Sequence, residues 1–169
     1  MILEVLRSVT DWLNDVTNGV AAQLAAIPLD GSDTAPGIAA IADETRDNSV
    51  AQQYLPRSSN AGALIAVNIQ EIPLLDPEVE TIERDGLAKV LVRVGVTNVD
   101  TKDATRDTSY VLRAIVRSLR LYNAATRTRN AIAIYSCEDL RVAALWQPKD
   151  DQLITGAVAV TWRFRDTAP

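Results

Sequence analysis

Apolar side chains recur at Ile2, Val5, Leu6, Val9, Trp12, Leu13, Val16, Val20 and Leu24, at the three-and-four spacing of one helical face. Asp11, Asn14, Asp15 and Asn18 fall mostly on the other side. The pattern predicts one amphipathic helix over residues 2–25. Pro28 marks its exit, because the residue before a proline is driven away from helical angles. From Pro28 to about Asn60 the periodicity dissolves into Asp-Gly-Ser-Asp, Ala-Pro-Gly, Arg-Asp-Asn-Ser and Pro-Arg-Ser-Ser-Asn, with one short helical turn around Ile38 to Ala42. Irregular segments longer than about 15 residues inside compact domains are functional loops or disordered ones. Residues 28–60 are therefore expected to form a long loop or insertion that becomes ordered against a neighbouring subunit.

A period of two takes over at Ala63, Ile65, Val67 and Ile69, with Asn68 and Gln70 turned the other way, as in a half-buried strand. A second strand is predicted from Leu87 to Thr97, with Ala88, Val90, Val92, Val94 and Val96 on one face and Lys89, Arg93 and Gly95 on the other. Between them Pro73 to Gly86 carries Asp76, Glu78, Glu80, Glu83 and Asp85, and reads as a long acidic hairpin projecting from the sheet. Asp100 and Thr101 can cap a following helix through their side-chain oxygens. Its buried side is Val111, Leu112, Ile115, Val116 and Leu119, and its end is expected near Asn123. After a polar break at Thr126 to Asn130 come three apolar stretches, Ala131 to Ser136, Leu140 to Trp146 and Ile154 to Phe164. In the last, Ile154, Gly156, Val158, Val160, Trp162 and Phe164 are expected inward and Thr155, Thr161, Arg163 and Arg165 outward. The sum is a single α+β domain over residues 1–169, with two helices packed on one face of a mostly antiparallel mixed sheet.

Composition narrows the chemistry. A chain of 169 residues suffices for one core. No apolar run approaches a membrane span, and Met-Ile-Leu-Glu lacks the basic start of a signal peptide, so a soluble protein that stays in the compartment where it is made is expected. There is no histidine, which removes Ser-His-Asp and Cys-His constellations and every histidine-bearing metal site. Cys137 is the lone cysteine and reads as an inert, partly buried thiol. No phosphate-binding glycine loop of either common spacing is present. Glu78, Glu80 and Glu83 could in principle supply paired carboxylates, but a proline-containing acidic loop without nearby aromatics reads as a solvated face, and it lacks the spaced ligands of a calcium loop. No enzyme activity, cofactor or metal is expected. A net charge of −5 argues against nonspecific duplex binding.

What remains is surface. Arg106, Arg113, Arg117 and Arg120 share one face of the second helix, because separations of seven, eleven and fourteen residues come close to whole turns. One reading is a solvent-facing helix whose guanidiniums pair with local carboxylates such as Asp103 and Asp107. The other is an intersubunit surface on which the acidic loop of one copy, with Glu78, Glu80 and Glu83, meets the arginine face of another, as a ring-closing contact requires. Trp12, Trp146 and Trp162 lie on apolar faces and read as core. Tyr54 and Leu55, flanked by Gln52, Gln53, Pro56 and Arg57, are candidates for docking into a neighbour, with folding back onto their own domain as the alternative. Arg163 and Arg165 complete the candidate interface set.

The order of elements, closing on the strand Ala157-Val-Ala-Val-Thr-Trp-Arg-Phe-Arg165, resembles the tail terminator proteins of long-tailed bacteriophages. Val90-Leu-Val-Arg-Val-Gly-Val96, followed by Asp107-Thr-Ser-Tyr-Val-Leu-Arg-Ala-Ile-Val116, is similar to their central strand leading into the second helix. The likeness spans most of the chain outside residues 28–60; that loop and the strand near Leu140 to Trp146 depart from the family pattern. The resemblance implies a tail-terminator-like fold and a homohexameric ring at the head–tail interface of the virion. Such a ring caps the tail tube protein, stops its polymerisation and offers a surface to the head connector or stopper protein. DNA would pass through the opening without sequence-specific binding, and no membrane is involved. Two other classes fit the same features: another neck, tail-tube or baseplate component, and a small cytoplasmic module that binds a peptide or metabolite.

Overall fold

The computed structural model describes residues 2–43, 62–71, 84–97, 101–122, 127–129, 132–142 and 153–166. The apolar stripe at the start of the chain forms helix α1 (Ile2–Leu13), which buries Val5, Leu6, Val9, Trp12 and Leu13. The single helix expected over residues 2–25 is broken, however. A separate short helix, α2 (Val20–Ala25), buries Val20, Gln23 and Leu24. The break has a local cause. The Asp15 carboxylate accepts the amides of Thr17 (2.9 Å) and Asn18 (2.7 Å), and its carbonyl accepts Gly19 N–H at 2.8 Å. An Asp side chain that bonds nearby amides offers the backbone an alternative to the helical ladder. Val16, expected on the buried stripe, is swung out and is 92% exposed.

The helical turn expected around Ile38 to Ala42 is instead strand β1 (Gly37–Asp43). It pairs in parallel with β2 (Gly62–Glu71), Ile41 lying opposite Ile65 and Asp43 opposite Val67. Gly-Ile-Ala-Ala-Ile-Ala is too short for its period to separate helix from strand, and the ladder with β2 decides the outcome. Residues 37–43 of the segment expected to be a loop are thus strand, and residues 44–61 lie outside the described residues.

β2 runs antiparallel to β3 (Arg84–Thr97), and β3 to β6 (Leu153–Asp166). The acidic connection therefore ends earlier than predicted: residues 84–86 already belong to β3, and residues 72–83 lie outside the described residues. A hairpin of β4 (Arg127–Arg129) with β5 (Ile132–Val142) completes a six-stranded sheet of order β1-β2-β3-β6-β5-β4. β4 occupies the expected polar break. β5 joins what read as two stretches, absorbing the mismatch in register shifts between Ile134 and Ser136 and between Glu138 and Arg141.

Helix α3 (Thr101–Arg120) follows β3 and buries Val111, Leu112, Ile115 and Leu119 as expected, ending three residues before the predicted Asn123. Pairs of strand residues share a face across the ladder: Ile65 with Val94, Val67 with Val92, Val92 with Val158 and Val90 with Val160. These side chains form one buried cluster with those of the helices, so helices cover one face of a mostly antiparallel sheet. The fold is α+β, with three helices among the described residues where two were expected. Tyr122 fastens the layers, standing edge-on between Trp12 (5.1 Å) and Trp162 (4.4 Å), while Trp12 Nε1 donates to the Ser118 carbonyl at 2.9 Å. Trp12 and Trp162 are core as predicted; Trp146 lies outside the described residues.

Candidate functional site

The direction of α3 sets the geometry of its arginine face. It begins at Thr101, just beyond the end of β3 at Thr97, and so must run back along the sheet. Tyr122, just past its last turn, meets Trp162 edge-on, and Trp162 lies opposite Ala88 near the start of β3. The C-terminal half of α3 therefore sits toward the end of the sheet where β2 leaves at Glu71 and β3 enters at Arg84.

The four arginines of α3 do not act as one stripe. Arg106 is half-buried and engaged: its Nη1 donates to Asp33 Oδ1 at 3.1 Å, and its Nε and Nη2 donate to Asp107 Oδ1 at 3.1 and 3.0 Å. Tyr110 joins the same network, donating from its hydroxyl to Asp33 Oδ2 and accepting the amide of Asp30, both at 3.1 Å. These bonds clamp the tight turn at residues 30–33, where Asp33 N–H reaches the Asp30 carbonyl and Gly31 takes φ 56°. The pairing of Arg106 with Asp107 follows the local-carboxylate expectation, whereas Asp33, 73 residues away in sequence, was not anticipated.

Arg113 and Arg120 are exposed and Arg117 is half-buried. Among the described residues no carboxylate pairs with any of these three guanidiniums. Half-buried Val116 and Leu121, which is 47% exposed, border them, so the patch is cationic with an apolar margin. Arg117 and Arg120 lie in the last turn, where a cation opposes the negative end of the helix dipole at about 0.3–1 kcal/mol each. That benefit needs no partner and accounts for part of the pattern.

Arg163 and Arg165 lie on β6, opposite Leu87 and Asp85 of β3. Tyr54, Leu55, Arg57, Glu78, Glu80 and Glu83 lie outside the described residues.

One surface feature escaped the sequence reading. A cleft of about 400 Å³ lies between the α1–α2 turn and the edge strand β1, walled by Leu13, Val16, Ala21, Ile38, Ala40 and Ile41. Asn14 and Ile41 both line it, and Asn14 Nδ2 donates to the Ile41 carbonyl at 3.4 Å. Its signal was hidden because β1 itself was not recognised. The one carboxylate at its wall, Asp15, is spent on the turn amides. No described helix is long and apolar enough to cross a membrane, and no group of three metal-ligating side chains gathers among the described residues. The site as a whole is a set of surfaces: a cationic helix face, an apolar cleft and an edge strand. The sequence matches no family model, and comparison with curated proteins finds no similar relative.

Proposed function

We propose that this chain is a tail terminator of a long-tailed bacteriophage, a structural virion protein without enzymatic activity. In this reading it forms a homohexameric ring at the head-proximal end of the tail, stops polymerisation of the tail tube protein and joins the tail to the head connector or stopper protein. DNA passes through the ring without being read. The observation that carries the proposal is the arrangement: an opening amphipathic helix, an antiparallel strand pair joined by an acidic connection, a second long helix, and a closing strand that alternates buried and half-buried positions from Val158 to Trp162. A cationic helix face and a sheet edge, β1, that pairs with no further strand among the described residues add two separate contact surfaces, and a ring component must bind its neighbours as well as partners above and below.

The test is a polymerisation assay with the tail tube protein of the same phage, followed by electron microscopy. Added before assembly is complete, this protein should halt elongation and decorate one end of each tube. Copolymerisation along the tube would assign it to the tube or baseplate instead, and indifference to tubes would favour a small cytoplasmic binding module.

A further inference from the structure

We infer that the outward face of the C-terminal half of α3 is a docking surface for an acidic helix of a partner protein, with Arg113, Arg117 and Arg120 receiving its carboxylates. The inference does not rest on the ring reading, because it concerns the chemistry of a partner and not the number of copies. From Ser109 to Leu121 the chain contains no acidic residue. At 3.6 residues per turn the three arginines fall within about 60° of arc and spread over roughly 10 Å of the helix axis. Half-buried Val116 lies on one side of this stripe and exposed Leu121 on the other. A partner helix with carboxylates three and four residues apart presents charges at the same interval, and guanidiniums can pair with them through two parallel bonds.

The stripe is not explained within the chain. Arg117 and Arg120 gain from the helix dipole in the last turn, but Arg113 lies about two turns before the end, beyond the reach of that effect. Scarcity of carboxylates is not the cause either. The chain holds 22 acidic and 17 basic residues, and Arg106 on the same helix pairs with both Asp33 and Asp107. Arg117 is half-buried with no carboxylate beside it among the described residues, so part of its hydration is lost without a compensating charge. A carboxylate brought to it gains more than at a fully exposed site, because the effective dielectric falls with burial. The face suits a protein better than a nucleic acid. Duplex affinity comes from neutralising many phosphates, and three guanidiniums on a chain of net charge −5 supply few. Val116 and Leu121 gain nothing from a phosphate backbone, whereas side chains of a protein partner would cover them.

The test uses full-length protein and a fluorescein-labelled, amidated peptide of three Glu-Ala-Ala-Glu-Leu-Ala-Ala heptads, with binding read by fluorescence anisotropy at low and high salt. Matching peptides carry glutamine or lysine in place of glutamate, and a labelled DNA duplex represents nucleic acid. Wild type should bind the glutamate peptide and neither of the others, and the binding should weaken as salt rises. Combining Arg113→Gln, Arg117→Gln and Arg120→Gln should weaken it at least about tenfold, the product of three modest ion pairs. Arg141→Gln, at an exposed arginine of β5, should leave it unchanged. Circular dichroism at 222 nm checks the fold of each variant, and the exchanged peptides test the need for charge on wild type alone. Equal binding by wild type and the triple variant would overturn the inference, as would a wild type that binds no peptide at low salt. A duplex bound more tightly than the glutamate peptide, and lost in the triple variant, would make the face a nucleic-acid surface instead. If light scattering shows a wild-type oligomer that dissociates in the triple variant, the occupant is a second copy and the inference fails. Binding of the glutamate peptide by a protein that never forms rings would support this inference and overturn the ring reading alone.

Discussion

Replacing Gly19 by alanine perturbs the turn that breaks the N-terminal helix in two. A Cβ at this position would stand 2.3 Å from the Asp15 carbonyl oxygen, 2.5 Å from that of Leu13 and 2.7 Å from the Asp15 nitrogen. Ordinary contacts begin near about 3.5 Å, so the turn must open by roughly 1 Å. The obstructing atoms are backbone, and the Gly19 N–H bond to Asp15 at 2.8 Å resists the movement. Backbone angles add nothing, since φ −69° and ψ 178° suit any residue. Overpacking of this kind costs about 1–3 kcal/mol, at the upper end where backbone must move. Reduced freedom of the unfolded chain returns about 0.4–1 kcal/mol. The net loss is about 2 kcal/mol, which for a chain of this size lowers Tm by roughly 4–8 °C. Gly31→Ala is the control: it meets no atom within 4 Å but must hold φ +56°, so its cost of about 1–2 kcal/mol is conformational alone. Thermal unfolding followed by circular dichroism at 222 nm compares the two. An unchanged Tm for Gly19→Ala, or a larger loss for Gly31→Ala, would refute the steric account of the turn.

Trp162→Ala removes a fully buried ring that packs edge-on against Tyr122 and should cost about 3–5 kcal/mol in urea titrations, with loss of near-UV dichroism. Val16→Asp, at a position 92% exposed, should change stability by less than about 0.5 kcal/mol, whereas Val20→Asp, buried four residues later, should prevent stable folding. Equal effects would mean that the helix is not broken where it is drawn. For the Asp33–Arg106 pair, a double-mutant cycle with alanine at each position should give a coupling of about 0.5–1 kcal/mol. Because Arg106 is 33% exposed, that coupling should shrink as salt is raised, and a salt-independent value would contradict the assigned ion pair.

Much of this fold is legible in the sequence wherever one face of an element is buried. The valines of β3 and β6 alternate because the ladder places Val90, Val92, Val158 and Val160 against the helices, and the same burial spaces Val111, Ile115 and Leu119 along α3. Periodicity fails where something other than burial decides. Asp15 and Gly19 end a helix that the apolar pattern would continue, through side-chain bonds and a close backbone approach that hydrophobicity does not record. β1 is strand because β2 offers it a parallel partner, a nonlocal fact absent from Gly-Ile-Ala-Ala-Ile-Ala itself. Of the candidate interface, the shared face of Arg113, Arg117 and Arg120 follows from helical spacing. The removal of Arg106 from that set does not, because its partner Asp33 comes from a turn whose position depends on the whole domain.

The central claim is that copies of this chain close into a six-membered ring that works at the end of a tail tube. The most direct test is the mass of the purified protein by light scattering behind a sizing column, with negative-stain images taken alone and with tail tubes. A hexamer, or a monomer that forms six-fold rings only on tube ends, is the predicted result. A monomer that ignores tail tubes at every concentration would contradict it.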